Sequence, residues 1–367
     1  MNFKIIKALV VKEAKQIKRD PSNWVVAFIF PILLLVIFGY GLSFNIENIG
    51  IDLVMHDTGK LSQDLANSYT DSKYFNTNVV YSLQDAKGNL EAGKTQGIVI
   101  IPENFSKNFV SESKKPSIQI ISDGSDPNTA VYIEGYAEGI FSRWMMKQLN
   151  ARPPINIIDR IWFNPSTETV NFMLAGALTM ILSIAGAFMT SMVVAREWER
   201  GTMEALISTP VSIWEIIASK IIPYFVLSVV AFVFSLVVSK ILFGVPFEGS
   251  VFATSLVTSI FIIVALLIGL IISNATKDQF NASMGVMAVT FLPTMMLSGF
   301  IFEIKSMPMW LQLITYAFPA RYYVACLRTL CLVGDVWPII LRNAAVLLSM
   351  ATGLALVLRK NIKKKIA

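Results

Sequence analysis

The sequence predicts a polytopic α-helical membrane protein that has six transmembrane helices and an extracytoplasmic α/β or α+β domain inserted between spans one and two. Hydrophobic residues make up 54% of the 367 residues, charged residues make up 15%, and the mean hydropathy is +0.59. This composition is typical of membrane proteins rather than of soluble domains. Several charge-free runs reach the roughly 20 residues that a helix needs to cross a bilayer, whereas one long insert has a soluble composition.

The first predicted element is a cytoplasmic amphipathic helix within residues 1–22. Its lysines lie away from one apolar stripe, a pattern suited to the interface of an anionic membrane. A merely basic segment beside the membrane is the alternative. Asp20 and Pro21 then predict an N-cap followed by proline at the first helical position, which starts the next helix. The stripe consists of Phe3, Ile6, Leu9, Val10, Ala14 and Ile17.

The first span is predicted at residues 23–44. It contains Pro31 and Gly39, which membrane helices tolerate. We expect it to be an uncleaved anchor, because residues 39–43 offer no convincing cleavage site for a signal peptide. The other five spans are expected within a transmembrane domain at residues 171–358. Their predicted bounds are 171–195, 217–239, 251–273, 280–302 and 338–358.

Residues 45–170 are too many for a loop and enough for a small domain outside the membrane. Runs of strand composition alternate with runs of helical composition, which argues for an α/β or α+β fold. Residues 123–128 are dense in turn formers, and their oxygen spacing does not fit a calcium loop. Strands are predicted at 49–55, 78–82, 97–101 and 117–121, and helices near 59–72, 84–94 and 127–149.

Residues 303–337 are apolar enough to suggest a seventh span, but they contain Pro319, Arg321 and Arg328. An additional span would also move the basic tail, residues 359–367, to the outside. We therefore interpret the segment as extracytoplasmic or re-entrant helices with aromatic side chains at headgroup level. Alternatively, the two arginines line a substrate path, because charge near membrane depth is usually functional.

The distribution of charge predicts the orientation of the chain. Four segments, residues 1–22, 196–220, 274–279 and 359–367, contain 15 of the 31 lysines and arginines against 7 acids, whereas the insert at 45–170 contains 11 against 15. The positive-inside rule then places both termini and the 196–220 loop in the cytoplasm. The overall charge of +6 is accordingly an orientation signal and not a nucleic-acid footprint.

Residues 88–95 fit the G-x-x-x-x-G-K-[ST] phosphate-loop pattern. Phosphate binding requires a strand before the loop and a helix after it. Here a helical stretch is predicted before the loop and a strand directly after it, so we expect no nucleotide site. Cys326 and Cys331, with a single histidine in the chain, are too few for a zinc site and are expected to be structural.

The charged insert at residues 196–216 is the most informative feature of the sequence. Ser212 and Glu215 form a predicted capping box, so that a helix starts there and runs into the third span. Residues 201–208 have room for a two-turn helix parallel to the membrane. The charge of this region is mixed, and mixed charge beside apolar side chains suits the groove of a partner protein.

The run from Arg196 to Ser212, Arg-Glu-Trp-Glu-Arg-Gly-Thr-Met-Glu-Ala-Leu-Ile-Ser-Thr-Pro-Val-Ser, resembles the signature of the type-2 ABC exporter permeases. The resemblance covers essentially the whole chain and is to the multidrug-type branch with one large external domain after span one. The other positions that carry it are Lys12, Glu13, Arg19, Asp20, Pro21, Pro31, Ile101, Pro102, Asn104, Phe105, the turn 123–128, Glu215, Lys220, Pro223, Tyr224, Pro319, Arg321 and Tyr322.

The resemblance implies a subunit of the inner (plasma) membrane that dimerises, with itself or with a similar permease, and binds a separate cytoplasmic ABC ATPase. This chain would then be no enzyme and hold no cofactor, because ATP and Mg would bind the ATPase. Membrane lipids are further expected partners, and the question of whether a periplasmic adaptor protein also binds stays open. The residues to which the resemblance assigns ATPase coupling are Glu197, Glu199, Arg200, Gly201, Thr202, Glu204 and Pro210.

The expected cargo is a hydrophobic or amphipathic compound such as a drug, because the spans are rich in Met and Phe, which form adaptable apolar surfaces. The candidates for the substrate path are Arg321, Phe291, Met295 and Met296, with packing or lipid contact as the alternative for the apolar three. Two other functions stay open: export of a lipid or glycan carrier, and a membrane-anchored receptor or assembly factor that transports nothing.

Overall fold

The computed structural model divides the chain into two compact units. The helical unit consists of Met1–Ser43 and Ile161–Ala367, and the inserted unit consists of Phe44–Arg160. The described residues are 3–41, 48–111, 116–125, 127–149 and 169–361. The predicted end of the first span, the last part of the predicted insert at 150–168 and the tail beyond residue 361 lie outside them.

The inserted unit alternates four strands with four helices: β1 (Ile49–Met55), Lys60–Thr70, β2 (Phe75–Val80), Leu83–Glu91, β3 (Gly97–Ile101), Phe105–Val110, β4 (Gln119–Ser122) and Pro127–Gln148. The sheet has the order β2-β1-β3-β4. β1 pairs in parallel with β2 and β3, while β3 pairs antiparallel with β4. The two central strands are largely buried, as expected for strands with helices on both faces. The predicted α/β or α+β character is thus present among the described residues.

The predictions of β1 and β3 are confirmed, whereas the strand predicted at 78–82 was placed too late, because β2 runs from Phe75 to Val80. β2 is an edge strand that pairs with β1 alone. One of its faces is open to solvent, so its sequence mixes asparagine and threonine with apolar residues and gives a weak strand signal. The helix Phe105–Val110 was not predicted.

In the segment 88–95, a helix comes first and a strand follows, as the sequence predicted, which is the reverse of the order in a phosphate-binding loop. Two residues of the segment donate hydrogen bonds to a buried carboxylate. The helix Leu83–Glu91 contains the first four residues of the segment, and β3 follows the segment. Asp52, fully buried in β1, accepts hydrogen bonds from Asn89 Nδ2 at 2.9 Å and from Thr95 Oγ1 at 3.5 Å. Asn78 Nδ2 donates to the same carboxylate at 2.8 Å. A buried charge requires such donors, which gives these loop residues a structural role.

Among the described residues of the helical unit, six helices are long and apolar enough to cross a membrane, which confirms the predicted polytopic helical class. The second span is central and mostly buried, whereas fewer than a third of the residues of the fifth and sixth spans are buried. The helix Phe3–Arg19 precedes the first span and is called the N-terminal helix below. The spans are Pro21–Tyr40, Asn171–Glu199, Ile213–Phe243, Val251–Thr276, Gln279–Leu297 and Trp337–Asn361.

Two of the spans contain a π-helical turn shortly before a proline. Val25–Ile29 precedes Pro31 in the first span, and Met287–Phe291 precedes Pro293 in the fifth. Proline has no N–H to continue the hydrogen-bond ladder, and its ring clashes with the preceding turn. One wider turn relieves this mismatch while the helix continues.

Two predicted bounds are corrected in ways that matter for function. The second span was expected to end at residue 195, but its helix continues to Glu199, so residues 196–199 are helical and not part of a loop. The fifth span was expected to reach residue 302, but it ends at Leu297, just before Gly299 adopts a φ of +83°.

Residues 303–337 form no seventh span, as the sequence predicted. They contain the 3-10 turn Ile304–Ser306 and the helices Met309–Thr315 and Pro319–Leu332. These helices of 7 and 14 residues are shorter than a bilayer crossing requires. Whether they lie outside the membrane or re-enter it stays a prediction.

Candidate coupling site

The helix Thr202–Ile207 joins the second span to the third, and we call it the connecting helix. Gly201 precedes it with a φ of +68°, a left-handed conformation that disfavours side chains but suits glycine. After it, Ser212 Oγ accepts from Glu215 N at 3.3 Å, and the Glu215 carboxylate accepts from Ser212 N at 2.8 Å. The predicted short helix and capping box are therefore confirmed.

The connecting helix has one buried side and one exposed side. Met203 is buried with Val211 and Ile216, and Ile5 and Leu9 of the N-terminal helix pack on this cluster. Leu9 of the predicted apolar stripe therefore packs on protein, whereas a role of the helix at the membrane interface stays a prediction. The exposed residues of the connection are Thr202, Glu204, Ala205, Ser208 and Pro210.

Four charged side chains meet behind the connecting helix, and we call them the charge cluster: Lys12, Glu13, Glu197 and Lys220. Lys220 Nζ lies 2.6 Å from Glu13 Oε1, and Lys12 Nζ lies 2.9 Å from the same oxygen. Both lysines also form ion pairs with Glu197. The side chains of Lys220 and Glu13 are each only 2% exposed. The cluster thus joins the N-terminal helix, the end of the second span and the start of the third.

The charge cluster is electrically neutral, and its neutrality is what makes burial tolerable. Removing one carboxylate or ammonium from water costs several kcal/mol, which mutual attraction offsets only when the geometry is good. Two lysines shared between two glutamates provide that geometry here. Moving the end of the second span or the start of the third span alone would leave buried charge without a partner, whereas the N-terminal helix carries the Lys12–Glu13 pair with it. We therefore expect the ends of these two spans to move together.

A second set of polar contacts joins the same end of the second span to the first and fifth spans. Arg196 pairs with Asp20 at 2.5 Å, and its Nε donates to Gln279 Oε1 at 3.1 Å. Asp20 in turn caps the first span by accepting from Ser22 N at 3.0 Å. Glu199 accepts from Gln279 N at 2.7 Å and also from the Gln279 side chain.

The contacts of the charge cluster and of Arg196 shift the pKa values of two groups that lie outside the spans, Lys12 and Asp20. Burial raises the pKa of Asp20, but the hydrogen bonds from Arg196 and Ser22 outweigh it and hold the pKa below its usual value. Burial lowers the pKa of Lys12, but hydrogen bonds to Glu197 and Glu13 outweigh that effect and raise it. Both groups are therefore held in their charged form at neutral pH.

The seven predicted coupling residues divide into an internal and an external set. Glu197 is buried in the charge cluster, Gly201 makes the turn, and Glu199 is held by Gln279 although its side chain is exposed. The remaining four, Arg200, Thr202, Glu204 and Pro210, are exposed. The structure thus brings the predicted residues to one end of the helical unit, while their coupling role stays a prediction.

Sequence reasoning gave no role to Lys12, Glu13 or Lys220, although these residues complete the internal set. Lys220 lies within the third span as the structure has it. A lysine inside an otherwise apolar helix indicates a buried partner, and this signal could have suggested the cluster. The partner itself was not predictable, because Glu13 lies 207 residues away in the chain.

The four predicted substrate-path residues do not share one surface. Phe291 and Met295 are partly buried against the main core of the helical unit. Met296 is 47% exposed. Arg321 lies outside the spans and donates to Gln312 O at 3.1 Å. Their assignment to a path stays a prediction.

The six membrane-length helices of the described residues define a polytopic helical membrane protein with a short, charged connecting helix at one end. The sequence model of the family described as ABC-2 family transporter protein matches residues 22–359. The chain belongs to this family. The family and the relatives described below are membrane permease subunits of transporters, which are not themselves enzymes.

Several curated proteins resemble the chain over most of its length. The probable multidrug ABC transporter permease YbhS of Escherichia coli K12 is 39% identical over 96% of this chain and 94% of its own. The probable multidrug ABC transporter permease YbhR of the same organism is 26% identical over 86% of each chain. The inner membrane transport permease YhhJ, also from strain K12, is 26% identical over 77% of each.

Proposed function

We propose that this chain forms, as a dimer, the translocation path of an ABC exporter that a separate cytoplasmic ATPase drives. The dimer partner is a second copy or a similar permease. The family and the permease names of the relatives support transport over a receptor or assembly factor. The names of YbhS and YbhR favour a hydrophobic or amphipathic, drug-like cargo over a lipid or glycan carrier.

The observation that carries the coupling proposal is the two-sided construction around the connecting helix. Its exposed side offers Thr202, Glu204 and Ala205 to a partner. Its buried side rests on Met203, and the charge cluster lies behind it. A push on the exposed side is therefore transmitted to three elements at once rather than absorbed by a loose loop.

The mechanism that follows is a population shift between two arrangements of the spans. ATP binding closes the ATPase subunits on each other, and this closure favours the arrangement that fits the closed ATPase better. The connecting helix is the contact through which the ATPase distinguishes the two arrangements. Glu197, Lys220 and Glu13 keep the elements joined during the transition.

We infer that the connecting helix and both termini face the cytoplasm and that the inserted unit lies outside. The charge of the short loops supports this orientation. ATP and Mg then bind the partner ATPase on the cytoplasmic side, and this chain supplies no catalytic group. A periplasmic adaptor could reach the inserted unit on the other side.

The decisive experiment is co-purification of the chain with its cognate ABC ATPase. Glu204→Lys and Ala205→Arg change only exposed side chains, so the variants should insert in the membrane and melt like the unmodified protein. Both should lose about tenfold or more in ATPase affinity, because Glu204→Lys reverses a charge in the proposed interface and Ala205→Arg adds a bulky charged side chain to it. Glu91→Lys, an exposed charge reversal in the inserted unit, is the matched control.

Stimulated ATP hydrolysis and export should fall in parallel with the loss of ATPase binding. If Glu204→Lys and Ala205→Arg bind the ATPase as tightly as Glu91→Lys does, the connecting helix is not the docking site. If the unmodified chain binds no ABC ATPase, the proposal of a powered exporter fails altogether.

A further inference from the structure

A basic cleft of about 670 Å³ lies at the end of the helical unit opposite the connecting helix. Arg328, one of its lining residues, lies with its guanidinium carbon 3.4 Å from the ring centre of Phe172, in the first turn of the second-span helix. The connecting helix follows the last turn of that same helix. The charged residues that line the cleft are Lys305, Arg321, Arg328, Arg342 and a single carboxylate, Glu303.

The positive charge of the basic cleft is not neutralised by the described residues. None of the ion pairs among them involves the cleft's four basic side chains. Arg321 donates to Gln312 O at 3.1 Å and to Thr315 Oγ1, and its guanidinium carbon lies 3.7 Å from the Tyr316 ring centre. Such neutral acceptors fix a guanidinium in place but leave its charge available to an anion.

The guanidinium of Arg328 is also held only by neutral acceptors among the described residues, and part of it is buried. Its Nη2 donates to Gly299 O at 2.7 Å and to Phe300 O at 3.1 Å. Its buried Nε has no hydrogen-bond partner among the described residues. Burial lowers the pKa of the guanidinium to about 10, and Glu303 offsets this only in part. A desolvated cation that faces a cleft without a carboxylate contact is a group that an anion would stabilise.

The helix Met309–Thr315 contributes Gln312 to the lining of the basic cleft and has an exposed apolar surface, which we call the apolar rim. The helix Met309–Thr315 follows Lys305 and leads towards Arg321. It leaves Met309 80%, Trp310 65% and Leu313 65% exposed. Exposed tryptophan and aliphatic side chains beside basic residues are typical of a membrane–water interface, where acyl chains and headgroups meet.

We propose that the basic cleft binds the anionic headgroup of an amphiphile, whose acyl chain lies along the exposed apolar side of the helix Met309–Thr315. The guanidinium forks of Arg321, Arg328 and Arg342 suit a phosphate or carboxylate headgroup, which they can bind through paired hydrogen bonds. The apolar rim distinguishes this ligand from a free anion. The side of the membrane on which the cleft lies rests on the proposed function, whereas the binding of the headgroup does not.

The test uses the full-length chain in neutral detergent without an ATPase. Phosphatidylglycerol is titrated and its first bound copy is quantified by native mass spectrometry, with phosphatidylcholine as the neutral probe. Arg321→Gln/Arg342→Gln should weaken the first phosphatidylglycerol site about tenfold or more, because charge-assisted hydrogen bonds are lost. Arg359→Gln/Lys360→Gln, which removes two exposed charges from the other end of the sixth span, should leave that site unchanged.

Arg321 also donates to the preceding helix, so its replacement could disturb the local structure. A second variant that keeps Arg321 therefore serves as an independent test. Lys305→Gln/Arg342→Gln changes two exposed side chains only and should weaken the site in the same direction. Equal phosphatidylglycerol binding by both cleft variants and the control would overturn the proposal. Full displacement of the lipid by excess inorganic phosphate would overturn it too, because the cleft would then be a free-anion site. Neither result would affect the proposed ATPase docking, which is measured separately.

Discussion

Lys220 is the residue whose replacement should affect the helical unit most at the scale of single side chains. It is 2% exposed and contacts two carboxylates that are almost as buried, Glu13 and Glu197. The second cation of the charge cluster, Lys12, is about half exposed. Because water screens its charge, Lys12 neutralises the two carboxylates less effectively than Lys220 does. The buried carboxylates therefore depend on Lys220 for their stability.

Replacing Lys220 by methionine should destabilise the protein by about 3 kcal/mol, because removing one partner leaves buried charge uncompensated. Methionine keeps the length of the side chain, so the loss reports charge rather than volume. Thermal unfolding of the purified chain in detergent measures it. Lys240→Met, an exposed substitution in the same span, is the control and should unfold near the temperature of the unmodified protein.

The double variant Lys220→Met/Glu197→Met should regain most of the stability that Lys220→Met loses. Its remaining charges, Lys12 and Glu13, are balanced, and residues in one ion-pair network are expected to couple in such a cycle. If the double variant is less stable than Lys220→Met alone by the full cost of a second substitution, the two side chains act independently. The charge cluster would then not be a unit.

Asp20 provides a pH-dependent prediction. Its folded-state pKa is held below the unfolded value by hydrogen bonds from Arg196 and Ser22 that outweigh burial. Its stabilising contribution is therefore present at neutral pH, above the unfolded pKa, and is lost as the pH falls through the folded pKa. Asp20→Asn keeps a residue that can cap the helix but removes the charge that pairs with Arg196, so it should cost about 1 kcal/mol at pH 7. The difference between the two proteins should shrink towards pH 3, and a pH-independent difference would contradict this assignment.

At the scale of helices and strands, local signals were predictable and contacts between distant segments were not. The Asp20 cap, the Ser212 capping box and strands β1 and β3 follow from neighbouring residues. The end of the second span was misplaced, because charged residues normally mark the exit from a membrane. Here the helix continues through Arg196, Glu197 and Glu199, which are good helix formers, and Lys12 and Lys220 neutralise the buried Glu197. The sequence shows charges but not their partners.

The contact between the second and fourth spans depends on a glycine. A Cβ at Gly269 would lie 2.2 Å from both Ala187 O and Thr190 Oγ1. Thr190 Oγ1 also donates to Leu266 O of the fourth span at 3.2 Å. Close approach of helix backbones at small residues is a principal source of stability between membrane helices, so this contact does not tolerate added volume.

Gly269→Ala should destabilise the protein by about 1–3 kcal/mol, the usual cost of overpacking a tight contact. Gly353→Ala is the matched control in the sixth span, where a Cβ would meet nothing within 4 Å. The control should be neutral or stabilising by up to about 1 kcal/mol, because alanine favours helix more than glycine does. Thermal unfolding of both variants checks the difference. Equal unfolding temperatures would show that the two spans can separate without cost.

At the scale of the whole molecule, the number of spans and the inserted unit follow from composition, but the construction of the coupling site required the structure. The exposed connecting helix, the N-terminal helix and the ends of three spans lie together only after folding. Each of these elements contributes one or two residues to the site, and nothing in the sequence around those residues indicates their partners. The function of this end depends on which side of the membrane it faces.

The orientation can be measured by labelling single cysteines with a membrane-impermeant maleimide. Ser125→Cys lies in the inserted unit and Ser208→Cys follows the connecting helix, and both positions are exposed. The native Cys326 and Cys331 are buried free thiols, so the unmodified chain should give a low background. The short loops carry the excess of Lys and Arg, so we expect Ser125→Cys to react in intact spheroplasts and Ser208→Cys only after the membrane is permeabilised. Reaction of Ser208→Cys from outside would reverse the orientation. Because ATP is inside the cell, that result would also exclude the connecting helix as the site where the ATPase docks.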